Sequence, residues 1–181
     1  MNLKTKQLNR LKDNEILVDI FRDCFEESET GFILDFNEEF LFLEKFNKNC
    51  EPDGISIMQN ENISRIRWGG NENASTLKLI DSTKRIKELQ GIILESWESI
   101  LESVSKKFNH VNVFIEDIDE NICHIGVVKG LDEDTLVLHE FGSMGRLDRS
   151  FVMINLDDIT KVDAAGIYEN NLMKLYSKPQ L

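Results

Sequence analysis

Apolar and polar residues alternate in ten short runs, which fall into two groups of five. The runs are rich in β-branched and aromatic residues and are bounded by Asn, Asp, Glu and Gly, a pattern typical of β-strands. The first group covers 16–22, 29–36, 39–46, 54–59 and 63–68. The second covers 111–117, 123–130, 134–141, 150–155 and 159–164. The pattern therefore predicts two sets of five strands.

A different period separates the two groups. Residues 82–108 carry apolar side chains at 86, 89, 93, 97, 100, 101, 104 and 108, which form one stripe on a helix. The sequence predicts a single long amphipathic helix here, capped by Asp81 or Ser82. Shorter helical patterns occupy 3–12, 73–80 and 168–176. The predicted organisation is a first unit at 1–80 with an N-terminal helix, a connecting helix at 81–109, and a second unit at 110–181 with a C-terminal helix.

The two groups of strands also share residues. At a constant offset of 95, residues 31–58 align with 126–153 without a gap, and seven of the 28 columns are identical. The same offset pairs 16–21 with 111–116, and an offset of 96 pairs 63–66 with 159–162 and 77–80 with 173–176. A register kept through consecutive segments indicates an internal duplication.

Each unit is expected to be a small barrel. Gly31 and Gly126 lie inside the second strand, where glycine marks a bulge or bend that lets a small sheet close. Leu41 and Leu43, with their counterparts Leu136 and Leu138, share the face that we assign to the interior. Phe40 and Phe42 then point outwards, so the outer face of the first unit needs a cover, which we expect to be the helix at 82–108.

The five-strand order, with glycine in strand two, Asn or Asp in the next turn and L-x-L in strand three, resembles the first motif of Sm-like barrels. The resemblance implies a mainly β, α+β fold of two duplicated five-stranded barrels of the Sm-like, Src-homology-3 type. The RNA-binding motif that follows strand four in Sm proteins is not matched by "MQNENI" or "INLDDI". The segment "EPDGISIMQNENISRIRW" also resembles small bacterial proteins with a "DG…edI.rI" pattern, which brings no activity with it.

Composition limits the function further. The formal net charge is -12, spread over both units, and such a surface repels nucleic acid and anionic membranes. Three cysteines without a CxxC pair favour a reducing compartment. The N-terminal residues lack a signal-peptide pattern, and no run of about 18 apolar residues is present. The sequence-based expectation is a cytoplasmic protein that does not bind a membrane.

Motifs for catalysis or metal binding are not found. Cys123 and His124 are neighbours on a predicted strand and face opposite sides, so they cannot share a metal with His139 without distortion. No nucleophile elbow or phosphate-binding loop is complete. We therefore expect a protein that is not an enzyme and that needs no cofactor or metal.

The one candidate binding cluster is Arg65, Arg67 and Trp68 in the fifth strand. By alternation Trp68 shares a face with Ile66, and we expect it in the core, while Arg65 and Arg67 face outwards. This arginine pair is the predicted site. The main hypothesis is an adaptor, inhibitor or immunity-type module that binds a protein partner of basic character. The alternative is a divergent Sm-like nucleic-acid-binding protein, although the acidic surface does not favour nucleic acid as a partner.

Overall fold

The computed structural model describes residues 2–86, 90–120, 122–142 and 149–176. The chain divides into two compact units, Met1–Leu89 and Gln90–Leu181. Ten strands and four α-helices occur among the described residues. The protein is therefore α+β and mainly β, as the alternating pattern predicted.

Unit 1 has five antiparallel strands with a helix at each end. Its elements are α1 (Leu3–Asp13), β1 (Val18–Arg22), β2 (Glu27–Phe36), β3 (Phe40–Phe46), β4 (Pro52–Gln59), β5 (Arg65–Trp68) and α2 (Gly70–Leu79). The strand order is β5-β1-β2-β3-β4. Each strand lies within a few residues of its predicted position, because the alternation of apolar residues fixes which face is buried.

Unit 2 has the same order of elements. They are α3 (Trp97–Phe108), β6 (Val111–Phe114), β7 (Cys123–Leu131), β8 (Thr135–Glu140), β9 (Phe151–Asn155), β10 (Lys161–Ala164) and α4 (Ile167–Tyr176). The strand order is β10-β6-β7-β8-β9, again antiparallel. If β6 to β10 are counted as strands one to five, this is the order found in unit 1.

The local irregularities recur as well. A bulge interrupts the ladder between Ile33 and Asp35 in unit 1 and between Val128 and Gly130 in unit 2. The turn after each bulge is closed by a side-chain oxygen, from Asn37 to the N–H of Phe40 and from Asp132 to the N–H of Thr135. Such Asx turns are the reason for Asn or Asp at this position. A 3₁₀ turn follows the fourth strand in both units, at Asn60–Asn62 and Leu156–Asp158.

Gly31 and Gly126 are required by a close backbone approach. A Cβ atom at Gly31 would overlap the carbonyl oxygen of Glu44, and one at Gly126 would lie 2.5 Å from the carbonyl oxygen of His139. The neighbouring atoms are backbone and cannot turn aside. Glycine thus lets the second and third strands of each unit come together at this point.

The predicted interior leucines are buried. Leu41, Leu43, Leu136 and Leu138 each have 0% of their surface exposed. In unit 1, α1 covers this face, because Leu8 and Leu11 pack in one cluster with Leu41 and Leu43. Phe40 and Phe42 on the opposite face are also buried.

The strand pairing corrects the sequence alignment of the two units. Gly31 pairs with Val18 and Gly126 pairs with Val111, so the first strands correspond at an offset of 93, and 95 was wrong for β1 and β6. The loop between the first two strands is two residues longer in unit 2. Leu41 pairs with Met58 and Leu136 with Ile154, so the offset has already changed to 96 at β4 and β9.

The prediction of one helix over 82–108 was wrong in its first half. Helix α3 begins at Trp97, where Ser96 and Ser99 form a reciprocal capping box, and Gly91 has φ +91°. Ser82–Lys84 is a single 3₁₀ turn, and residues 87–89 lie outside the described residues. The apolar stripe is helical from Trp97 onwards, because the capping box sets the N-terminus of the helix at that point. The helix belongs to unit 2, so the predicted boundaries at 80 and 110 do not match the two compact units.

The short segment 80–86, which contains this 3₁₀ turn, packs on the outer face of the unit 1 sheet instead. Ile80 packs with Phe32 and Phe46. Arg85 lies with its guanidinium 3.5 Å from the centre of the Phe32 ring and donates to the buried carboxylate of Glu44. The backbone N–H of Ile86 donates to the same carboxylate. Burial raises the pKa of Glu44, and these two donors oppose the increase.

Candidate functional site

Arg65 and Arg67 lie on β5, exposed as predicted, but acidic side chains of the same unit bind both. Arg65 donates from two nitrogens to Asp23, at 3.1 and 3.0 Å, and its guanidinium lies 3.9 Å from the centre of the Phe21 ring. Arg67 donates to Asp19 at 2.9 Å and to Glu72 at 2.7 Å. The two side chains stay exposed, but their guanidinium groups are held against the sheet by these acidic partners.

The electrostatics follow from this pairing. The hydrogen bonds from Arg65 and Ser64 lower the pKa of Asp23, and Asp19 raises the pKa of Arg67. The Arg65–Asp23 pair is exposed to solvent on both sides, whereas Arg67 reaches from solvent to the buried carboxylate of Asp19. The three carboxylates more than balance the two arginine charges. A phosphate group approaching this cluster would therefore meet no net positive charge from it.

Trp68 does not lie in the core, and this expectation was wrong. Its side chain is 40% exposed at the last residue of β5, where it pairs with Val18 at the end of the ladder. Alternation gives the face correctly, since Ile66 on that face is half-buried. It cannot show that the interior ends before the strand does.

Trp68 stands beside a groove of about 340 Å³ between α1 and β5. Apolar side chains from Leu8, Leu11, Ile63 and Ile66 form its floor, and Lys4, Gln7 and Arg65 lie at its rim. The sequence hypothesis named the arginines but missed the groove, because only the fold places the helix α1 alongside β5.

A second exposed cluster lies in unit 2 and was not predicted. Phe151 and Met153 on β9 are 68% and 73% exposed. The ring of Phe151 stacks on His139, with centroids 4.4 Å apart and planes 6° apart. Arg149 lies 3.2 Å from His139 Nδ1 and 4.9 Å from the Tyr176 ring. We call Arg149, Phe151, Met153 and His139 the β9 patch. The sequence signal for this patch is a pair of large apolar residues at alternate positions of the predicted strand 150–155.

His110 and His124 are held by contacts within unit 2, while His139 belongs to the β9 patch. His110 is buried, with Nδ1 3.0 Å from the carbonyl oxygen of Phe108 and Nε2 accepting from the N–H of Ala165. Burial lowers the pKa of His110, which fits this neutral, bonded ring. His124 lies 2.8 Å from Glu140. Partial burial and the charges of Arg149 and Lys129 lower the pKa of His139.

The cysteines and histidines of the described residues do not form a metal site. Cys24, Cys50 and Cys123 are free thiols. Within residues 2–86, 90–120, 122–142 and 149–176, no group of three or more His, Cys, Asp or Glu side chains is arranged to hold a metal ion. In the same part of the chain, no helix has the length and apolar character needed to cross a membrane.

Comparison with known proteins adds no relative: no family model, no curated protein and no solved structure matches the chain. The two exposed surfaces, the groove beside Trp68 and the β9 patch, are therefore the candidate sites.

Proposed function

We propose that the two units are duplicated copies of one Sm-like small barrel. Support comes from equivalent contacts that involve different residues. Ser64 donates to the carbonyl oxygen of Phe21 and to Asp23 in unit 1, while Thr160 donates to the carbonyl oxygen of Phe114 and to Glu116 in unit 2. Arg65 lies over Phe21, and Lys161 lies over Phe114 at 4.1 Å. Unrelated five-stranded sheets have no reason to share such details.

We further propose that the protein is a non-enzymatic interaction module whose partner is a protein. The observation that carries this function is the exposure of Trp68 beside the groove between α1 and β5. Tryptophan is enriched among the residues that dominate binding energy at protein interfaces, because it buries a large area at a small entropic cost. The groove offers apolar surface next to this ring, and its floor is held in the core of unit 1.

The charge of the chain indicates the character of the partner. The net charge is -12, and the arginines nearest to Trp68 are already paired with Asp19, Asp23 and Glu72. A basic protein would be attracted at long range and would associate faster at low salt. We therefore assign the partner to basic proteins with an apolar segment that fits the groove.

The test compares immobilised wild-type chain with Trp68→Ala and with Leu79→Ala. Leu79 is 72% exposed on α2 in the same unit, so its replacement controls for loss of an exposed apolar side chain. Proteins captured from lysate by chemical cross-linking are identified by mass spectrometry. We expect a defined basic protein to be retained by wild type and Leu79→Ala and lost with Trp68→Ala, with capture that weakens as salt rises. Equal capture by all three chains would contradict the proposal.

Nucleic-acid binding is the second candidate, and the β9 patch is the observation that favours it. Single-strand binding uses aromatic rings for stacking beside cationic groups, and Phe151, His139 and Arg149 supply both. The net negative charge of the chain opposes this function. We expect no complex tighter than about micromolar with U-rich RNA, A-rich RNA or duplex DNA near physiological salt.

Fluorescence anisotropy at two salt concentrations would decide between the candidates. A salt-sensitive nanomolar complex that is weakened by Arg149→Ala, or by Arg65→Ala with Arg67→Ala, would replace the protein-partner function by the nucleic-acid function.

A further inference from the structure

The strand β9 has an unpaired edge. Its only strand neighbour among the described residues is β8. The N–H of Glu140 donates to the carbonyl oxygen of Ser150 at 2.8 Å, and the N–H of Leu156 donates to that of Asp134 at 2.9 Å. Alternate residues bond the same neighbour in an antiparallel ladder, so Ser150, Val152 and Ile154 face β8. Phe151, Met153 and Asn155 therefore direct their N–H and C=O groups away from it.

The residues with free backbone groups also carry the exposed apolar side chains. Phe151 and Met153 are among the most exposed large apolar residues of the described chain, at 68% and 73%. An exposed apolar strand with free N–H and C=O groups is a template for another strand. Proteins that keep such an edge single usually place lysine or proline on it, and β9, "FVMIN", has neither.

The charges beside β9 select the added strand. Arg149 precedes β9, and Asp157 and Asp158 follow it, so the segment has a basic beginning and an acidic end. A second copy of the same segment, placed antiparallel, brings each basic beginning to the acidic end of the other. A parallel copy would place like charges together, and their repulsion disfavours that arrangement.

We propose that β9 pairs antiparallel with β9 of a second copy of this chain, about a two-fold axis through Met153. The free backbone groups fix the register. Met153 lies opposite Met153 of the second copy and Phe151 opposite Asn155, which brings Arg149 near the acidic 3₁₀ turn at Leu156–Asp158 of the second copy. The contact is isologous, so both copies use the same surface and the assembly closes as a dimer. This dimer concerns unit 2 and does not depend on the partner proposed for the groove of unit 1.

Disulfide trapping tests the register. Residues that exchange both hydrogen bonds across an antiparallel pair have Cα atoms about 5.5 Å apart, within the range of about 4.4–6.8 Å that a disulfide spans. With Cys24, Cys50 and Cys123 replaced by serine, we expect Met153→Cys to form a covalent dimer on mild oxidation. Asn155→Cys is the matched control, since position 155 faces position 151 in this register, and it should remain largely uncross-linked.

The same experiment can overturn the register. Equal cross-linking of both variants, or none with Met153→Cys, would contradict it. Circular dichroism of each variant shows that the fold is kept before its cross-linking is interpreted.

Charge reversal tests whether the strand that pairs with β9 belongs to a second copy of this chain. Arg149→Asp makes both ends of the segment acidic, and Asp157→Lys with Asp158→Lys makes both ends basic. Each variant alone should dimerise about tenfold more weakly or worse. An equimolar mixture should regain a one-to-one dimer, because every contact is then between opposite charges. Sedimentation velocity measures all three samples beside wild type.

Three results would overturn the proposal. They are a wild-type chain that stays monomeric at every concentration, a dimer that persists in both reversed variants, and an increase in mass only when U-rich RNA is added. The last result would assign the β9 patch to nucleic acid.

Discussion

Units 1 and 2 share a strand order, a bulge and two turns, yet their end strands differ in exposure. In unit 1, β4 is buried from Gly54 to Met58, while β5 is largely exposed. In unit 2 the pattern is reversed, since every residue of β10 is buried and β9 exposes Phe151 and Met153. The corresponding residues of β4 are Ile55 and Ile57, both with 0% exposure. The same scaffold thus presents a different strand to solvent in each unit, and the candidate surfaces lie on these strands.

The polar interior shows how the two units differ without a change of fold. In unit 1, Asn73 donates to Asp19 at 3.1 Å. In unit 2, Asn112 donates to Glu169 at 2.9 Å, so the amide and the carboxylate have exchanged strand and helix. All four residues are buried. A buried carboxylate needs a donor from the neighbouring element, but either element can supply it.

The stability of each unit can be measured separately, because each unit contains one of the two tryptophans of the chain. Trp97→Phe leaves Trp68 as a fluorescent reporter of unit 1, and Trp68→Phe leaves Trp97 as a reporter of unit 2. Urea unfolding followed by each reporter then measures each unit in turn.

The largest expected effect comes from the interior leucines. Leu43→Ala and Leu138→Ala should each lower the free energy of unfolding of their own unit by about 2–5 kcal/mol, because both side chains are fully buried. A loss below about 1 kcal/mol at either site would show that the two interiors are not equivalent.

Glycine replacement should have the next largest effect. Gly31→Ala and Gly126→Ala place a methyl group against backbone, so we expect a loss of about 1–3 kcal/mol or more in each unit. The overlap is closer at Gly31, and unit 1 should therefore lose more. Gly130→Ala is the matched control, because its added Cβ would lie 3.5 Å from Val137, in ordinary contact. A larger loss in unit 2 than in unit 1 would contradict this order.

Changing the buried Asn112–Glu169 pair should lower the free energy of unfolding by less, and a second substitution should restore it. Asn112→Asp sets two carboxylates against each other in unit 2 and should cost about 1–3 kcal/mol at neutral pH. Adding Glu169→Gln recreates the unit 1 arrangement and should recover most of the loss. A double variant no more stable than Asn112→Asp would mean that the two units do not use the pair in the same way.

The smallest expected difference is in pH dependence. Burial lowers the pKa of His110 in the folded chain from its ordinary value of 6.5. Below pH 6.5 the unfolded chain binds a proton that folded unit 2 does not bind, so the free energy of unfolding falls as pH decreases. The fall ends at the lower folded pKa. The three histidines all lie in unit 2, so the unit 1 reporter should not show this dependence.

His110→Gln should reduce the pH dependence of unit 2 in urea unfolding, and His139→Ala should largely keep it, since His139 is partly exposed. If the free energy of unfolding of unit 2 falls equally steeply below pH 6.5 in wild type and in His110→Gln, the pH dependence does not come from His110.

Much of the molecule was determined by the sequence alone. Alternation located all ten strands seen in the described part of the chain, because a strand with one buried face must repeat apolar residues at every second position. The leucines of β3 and β8 and the glycines of β2 and β7 were identified because they recur in both units. Arg65 and Arg67 were placed correctly on an exposed face by the same period.

The tertiary structure decided what alternation cannot express. Whether Trp68, Phe151 or Ile57 is covered depends on the elements that pack beside its strand, and not on its own period. The ion pairs that occupy Arg65 and Arg67 join residues that are up to 48 positions apart. The start of α3 was decided by a capping box at Ser96, a local signal that the apolar stripe across 82–108 concealed. The spacing of apolar residues along a strand or helix shows which side faces inwards. Contacts between distant parts of the chain decide how far the interior extends along that element.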